Sequence, residues 1–233
     1  MNEVDLRALA EAGSALIDMR RSRSCCLIIL MTGGCAPMIP HGPDVHDGFS
    51  TGISAAIGRG PTYENGDDPG PFYFGAALVS VAYGIRPASD ARPALRLGLQ
   101  GPVTSTLAVD IFAQAPRKWF GPINAGAGLL GDPTHGRQMP YVQAGVRNKA
   151  GYGLNGAIGR YRDRTLRPSY SVDERAQVNW LSLEVPVGRT ATLHLHGGYA
   201  AGHVIKTSKN ASTPYVDEDR WVRLGGATLE LHR

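Results

Sequence analysis

The sequence predicts an all-β fold, an antiparallel up-and-down transmembrane β-barrel of about ten strands. Three observations carry that expectation. From Gly48 onward apolar side chains alternate with small or polar ones, and no stretch sustains the 3.6-residue period of an amphipathic helix. The alternating runs are about ten residues long, the length a tilted strand needs to cross a bilayer. Long polar connections follow most odd-numbered runs and short turns follow the even-numbered ones, which in a meander sorts them to opposite ends.

Composition agrees with this reading. The 233 residues include 30 glycines, about twice average usage, with 42% apolar and only 19% charged residues. That is too little charge for a disordered or coiled-coil chain, and Leu and Ile are too sparse for a helical membrane protein. The net charge is +4, but the arginines are scattered, with no basic stripe interleaved with aromatics. Nucleic acid is therefore not an expected partner.

Residues 1–18, from Met1 to Asp18, read as a polar amphipathic stretch that has no place ahead of an export signal. They are expected to be a non-native extension, with translation starting at Met19. Residues 19–35 have the layout of a signal peptide. Met19 to Arg23 is a basic start, Cys25 to Met31 a short apolar run, and Thr32, Gly33 and Gly34 are small residues ahead of Cys35. The apolar run is too short to span a bilayer as a helix. The alternative buries residues 25–31 as a core helix or strand, with residues 1–18 as a helix beside it. All three cysteines (Cys25, Cys26, Cys35) lie in this region, so the rest of the chain has no disulfide framework, Cys-ligated metal site or thiol nucleophile. Residues 36–46, containing Pro37, Pro40 and Pro43, are expected to be an extended linker, and residues 47–233 the barrel.

The alternation is clearest in four runs. Phe49, Thr51, Ile53, Ala55 and Ile57 share one parity, as do Val79, Val81, Tyr83 and Ile85. Leu95, Leu97 and Leu99 follow, then Leu107, Val109, Ile111 and Ala113. Less regular runs occur near residues 119–130, 139–147, 151–161, 176–187, 190–205 and 220–232. Long polar loops are expected at residues 59–70, 131–138, 162–174 and 206–219, and a shorter one at 101–106. Tight turns are expected at 87–91, 115–118, 148–150 and 188–189.

Alternation defines two faces without saying which one meets lipid, since a soluble barrel would turn its apolar face inward. The export signal, the connection pattern and the even strand number favour an outward apolar face. So do mid-strand charges among small residues. Arg96, Asp110, Glu184, His194 and Glu230 are expected to form a lumen network paired across strands, with Arg96 and Asp110 facing each other in one hairpin. Phe72, Tyr73, Phe74, Trp119, Phe120, Tyr141, Tyr152, Tyr161, Trp180 and Trp221 are candidates for interfacial girdles, each with an ordinary core or turn aromatic as the alternative. The run from Ala125 to Gly128 falls within a strand, so its glycines are expected to make room inside the lumen rather than to cradle phosphate.

Two short motifs carry resemblances. Met31-Thr32-Gly33-Gly34-Cys35 resembles a bacterial lipobox, with Thr32 where Leu is usual, which implies lipidation of Cys35. Ala36 lacks the Asp that would favour inner-membrane retention. Gly226-Ala227-Thr228-Leu229-Glu230-Leu231 resembles the C-terminal signal read by the barrel-assembly machinery, although Leu224 replaces a polar residue and the chain ends on His232-Arg233. Residues 46–233 together resemble the broad class of small bacterial outer-membrane β-barrels, and no motif selects a subfamily. The resemblance implies an outer-membrane location, with outer-membrane lipid and the barrel-assembly machinery as partners.

Four residues bear on catalysis. Ser182, Glu184, His194 and His196 share a parity on two strands of one tight hairpin, and Ser, His and Glu could supply nucleophile, base and orienter. Glu184 and His194 lie near the short-turn end, however, and a hydrogen-bonded network that rigidifies the barrel is the simpler reading. His194, His196, Glu230 and His232 could also hold a divalent metal, but an isolated His-x-His pair is a weak signal. No metal or cofactor is expected. The favoured reading is a barrel without catalysis, of structural, adhesive or narrow-pore type. The alternatives are a lumen- or leaflet-acting lipid hydrolase using Ser182 with His194 or His196, and a lipid-anchored soluble barrel holding an apolar ligand.

Overall fold

The computed structural model describes residues 41–61, 71–85, 89, 91–102, 108–132, 136–166, 170–208 and 214–232. The expected N-terminal extension, the signal peptide with Cys35, and residues 36–40 lie outside them. The strands are β1 (Gly48–Pro61), β2 (Pro71–Ile85), β3 (Ala94–Pro102), β4 (Ala108–Gln114), β5 (Ile123–Asp132), β6 (Arg137–Arg147), β7 (Gly153–Leu166), β8 (Tyr170–Pro186), β9 (Ala191–Ser208) and β10 (Pro214–His232). Each pairs antiparallel with its sequence neighbours, and β10 pairs with β1 from Ser50↔His232 to Arg59↔Arg223. The expected ten-strand meander is thus a closed barrel. Closure leaves no free sheet edge across the belt, the condition for strands that lie in lipid, while the overhanging starts of β2 and β10 are paired on one side only.

Local chemistry makes the turns. Asn148 Oδ1 accepts hydrogen bonds from the backbone N–H groups of Ala150 (2.9 Å) and Tyr152 (3.0 Å), closing the turn between β6 and β7. Gly188, at φ 100°, takes the left-handed conformation that turns β8 into β9.

The opposite end departs from expectation. Residues 162–174 and 206–219 were expected as loops, yet β7 continues to Leu166 and β8 begins at Tyr170, while β9 continues to Ser208 and β10 begins at Pro214. Pairs such as Arg162↔Arg175 and Arg164↔Asp173 carry the ladder on in register. Beyond the apolar belt the outward face turns charged as well, and Arg137 and Asp163 pair on the inward face, so the apolar–polar alternation vanishes while the backbone pairing persists. The two ends differ by strand overhang rather than by loop length.

The two parities separate as the pleat requires. Outward-facing side chains include Phe49, Ile53 and Ile57 of β1, Val79 and Val81 of β2, Leu95, Leu97 and Leu99 of β3, and Val109 and Ile111 of β4. Leu129, Val142, Val146, Leu154, Ile158, Leu181, Leu183, Leu195, Leu229 and Leu231 continue the belt around the barrel. Single exposed aliphatics are ordinary on a protein surface, but a belt that closes on itself is not. Phe49 and Tyr83, with ring centroids 4.7 Å apart, and exposed Trp119, Phe120 and Tyr152 rim its short-turn margin. Tyr199 and Trp221 lie toward the other margin.

Three girdle expectations are corrected. Tyr141 and Trp180 are buried and Tyr161 partly buried, because their parity turns them into the lumen. The side chains of Phe72, Tyr73 and Phe74 lie outside those described. The lumen glycines do make room: a Cβ on Gly126 would press on the Phe112 ring, and one on Gly128 would overlap the ring of Tyr141.

Candidate functional site in the barrel lumen

The lumen is filled by its own side chains and by chain that precedes β1. Residues 41–45 run inside the short-turn end, where His41, Pro43 and Val45 are buried. Backbone without a ladder is costly in a dry interior unless its polar groups find partners. Here side chains supply them. Gln143 Nε2 donates to the His41 carbonyl (2.9 Å), Arg96 Nη1 donates to the Gly42 carbonyl (2.7 Å), and the Val45 N–H donates to Gln114 Oε1 (2.9 Å). Gly42 packs so closely on the wall that a Cβ would collide with the Glu184 carboxylate.

Two acidic centres organise the wall around this segment. Glu230 accepts hydrogen bonds from His41 Nδ1 (2.6 Å) and His194 Nε2 (2.8 Å). Glu184 accepts two from Arg147, at 2.8 and 2.6 Å, and another from Asn155 Nδ2. His194 Nδ1 stands 3.6 Å from Glu184 and so links the two centres. Across the lumen, Arg96 Nη2 lies 3.3 Å from Asp110 Oδ2 and the Tyr141 hydroxyl donates to Asp110 Oδ1 at 2.7 Å. The guanidinium also lies 4.7 Å from the centre of the Phe112 ring. Every acid of this set therefore has a donor, as buried carboxylates require.

The five residues expected as a lumen network all face inward, in two groups: Glu184, His194 and Glu230 in one, Arg96 and Asp110 in the other. One detail is corrected. Asp110 sits opposite Gly98, and Arg96 opposite Phe112, so the ion pair is diagonal rather than directly facing. Arg147 and Asn155 were missed, although hairpin registers could have found them: Arg147 pairs with Gly153, and Gly153 with Glu184. His41, Gly42 and Val45 had no signal, because an aperiodic segment carries no parity.

The catalytic candidates do not form a relay. Ser182 is buried opposite His196 in the β8–β9 ladder, yet its hydroxyl has no hydrogen-bond partner among the described residues. His196 Nε2 instead lies 2.8 Å from Thr228 Oγ1, which also bonds Ser54 Oγ. His194 is engaged by Glu230. A nucleophile needs a base within hydrogen-bond reach, and the imidazole opposite Ser182 is turned to another hydroxyl. Among the described residues, no three His, Cys, Asp or Glu side chains converge as metal ligands. What the arrangement can do is fix residues 41–45 in place and close this end of the lumen.

No family model matches the chain, and no curated protein matches it. Solved structures of outer membrane proteins align with the chain at low similarity. The outer membrane protein OprG from Pseudomonas aeruginosa is 9% identical, with a TM-score of 0.36, covering 83% of this chain and 100% of its own. The outer membrane protease OmpT from Escherichia coli is 10% identical, with a TM-score of 0.31, covering 84% and 99%. The outer membrane protein Omp33 from Acinetobacter baumannii is 8% identical, with a TM-score of 0.29, covering 83% and 100%. Similarity at this level identifies no residue's role.

Proposed function

We propose that this chain is a non-catalytic outer-membrane β-barrel of the structural type, anchored by its aliphatic belt and closed through its lumen. One observation carries the reading: the same strands that turn Ile, Leu and Val outward all around the wall turn a paired set of charges inward. A soluble barrel holding an apolar ligand would need the reverse. In water this belt would be a large exposed apolar surface, whereas in lipid it is the favourable arrangement, with each backbone group satisfied by a neighbouring strand. The His41–Val45 segment and its partners favour a structural barrel over a pore.

Two measurements test this. The folded full-length chain should need detergent or lipid to stay in solution, and a monodisperse preparation without either would overturn the membrane reading. In planar bilayers it should give no sustained conductance, and steady open channels from the unmodified chain would overturn the closed lumen.

A further inference from the structure

Where β7 and β8 rise past the belt, their outward face changes from aliphatic to basic. Beyond Ile158 the outward positions of β7 are Arg160, Arg162 and Arg164, and those of β8 facing them are Gln177, Arg175 and Asp173. The face thus carries four guanidiniums against one carboxylate, while Asp163 and Glu174 belong to the opposite parity. Asp173 is already held by Arg175, at 3.1 Å, and lies 3.8 Å from Arg164.

Arg162 and Arg175 are direct cross-strand partners, an arrangement that costs free energy unless an anion lies between them. Among the described residues no carboxylate is in direct ion-pair contact with Arg160 or Arg162, Asp173 acts on Arg162 only at longer range, and the buried Nε of Arg162 has no hydrogen-bond partner. These side chains border a groove of about 470 Å³ on the outer wall, lined by Gln138, Pro140, Arg160, Arg162, Arg175 and Gln177. At the same place the β6–β7 register passes from Gln138↔Arg162 to Tyr141↔Gly159, leaving a break in the ladder at Pro140, which has no N–H to donate.

We propose that this groove binds the anionic, phosphate-bearing headgroup of a lipid in the leaflet at the overhanging-strand end, with Arg160, Arg162 and Arg175 as the ligands. The inference rests on the membrane reading above. The position selects a lipid over a free anion, because the groove lies on the outward face where the aliphatic belt gives way, Arg160 being the next outward position of β7 after Ile158. Planar guanidiniums suit phosphate oxygens through paired N–H donors, and Gln138 and Gln177 add neutral donors.

The test is native mass spectrometry of the full chain in a neutral detergent, titrated with diphosphoryl lipid A, with phosphatidylcholine and with inorganic phosphate. Lipid A should bind at least about tenfold more tightly than phosphatidylcholine, and millimolar phosphate should compete only weakly. The Arg160→Gln/Arg162→Gln variant should lose that preference. Arg160→Lys/Arg162→Lys should keep part of it, and Lys149→Gln, at the short-turn end, should keep all of it. Each variant is first shown to be folded by its heat-dependent migration in SDS gels. A folded, detergent-requiring chain that shows no preference for lipid A, or whose preference survives the double Gln variant, overturns the inference and leaves the membrane reading intact. Lipid A binding abolished by inorganic phosphate identifies a free-anion site and likewise overturns it. A chain that folds without detergent overturns both.

Discussion

The two ends of the lumen solve the same filling problem with opposite chemistry. Along β10, Glu230 lies toward the short turns and Leu224 toward the overhang; along β8 the order is Glu184 then Trp180 and Val178, and along β9 it is His194 then Val204. β6 repeats it with Gln143 and Met139, and β1 with Ser50 and Ala56. The buried apolar members include Leu78, Leu130, Met139, Val178, Trp180 and Leu224, which belong to one cluster. The short-turn end is thus held by directional pairing and the overhang half mainly by packing, with the Arg137–Asp163 ion pair (2.9 Å) above it. Directional pairing specifies one arrangement but tolerates no lost partner, whereas packing loses stability in proportion to the volume removed.

That contrast can be broken from either side. The largest effect is expected for Glu230→Ala, which leaves His41 and His194 without their acceptor in a site closed to water. It should cost about 3–5 kcal/mol of stability, read as a shifted urea midpoint in lipid vesicles. Leu224→Ala, at the apolar end, should cost about 3 kcal/mol by the same measurement and leave the polar set intact. Equal sensitivity to a conservative Glu230→Gln and to Leu224→Met would show that the two ends are not held differently. The smallest effect is expected for Ser182→Ala. Its hydroxyl has no partner to lose, so the midpoint should move by no more than about 0.5 kcal/mol. Any lipid-hydrolysing activity of the purified chain should also be unchanged, and its loss would restore the catalytic alternative.

The barrel was legible because a period of two is a direct readout of a wall with different solvents on its two sides. Phe49 to Ile57 shows this at once, and parity alone puts Arg96 and Glu230 on the face opposite the aliphatic one. The reading failed where that difference disappears. Residues 162–166 and 170–174 carry charge on both faces and so resemble a loop, although they are ladder. Tyr141, Tyr161 and Trp180 were grouped with Trp119 and Trp221 by residue type, whereas parity separates them. The segment at His41–Val45 was read as a linker ahead of the barrel. No local pattern marks it as lumen filling, since its partners Arg96, Gln114, Gln143 and Glu230 are distant in sequence and converge only in the closed barrel.

The bond between His41 and Glu230 joins residues 189 positions apart, one ahead of the first strand and the other on the last. The acceptor for the buried imidazole therefore arrives with the final strand, at the seam where β10 meets β1. Until then the leading segment is anchored by Arg96, Gln114 and Gln143 of β3, β4 and β6, and His41 lacks its carboxylate. Joining the seam thus completes the His41–Glu230 pair, while Arg96–Asp110 and Arg147–Glu184 lie within strands that do not meet at it. A ring that closes without residues 41–45 inside would leave Arg96, Gln114 and Gln143 without their backbone partners. Contacts of such long range make for slow folding, and here they tie the last strand to the segment that precedes the first.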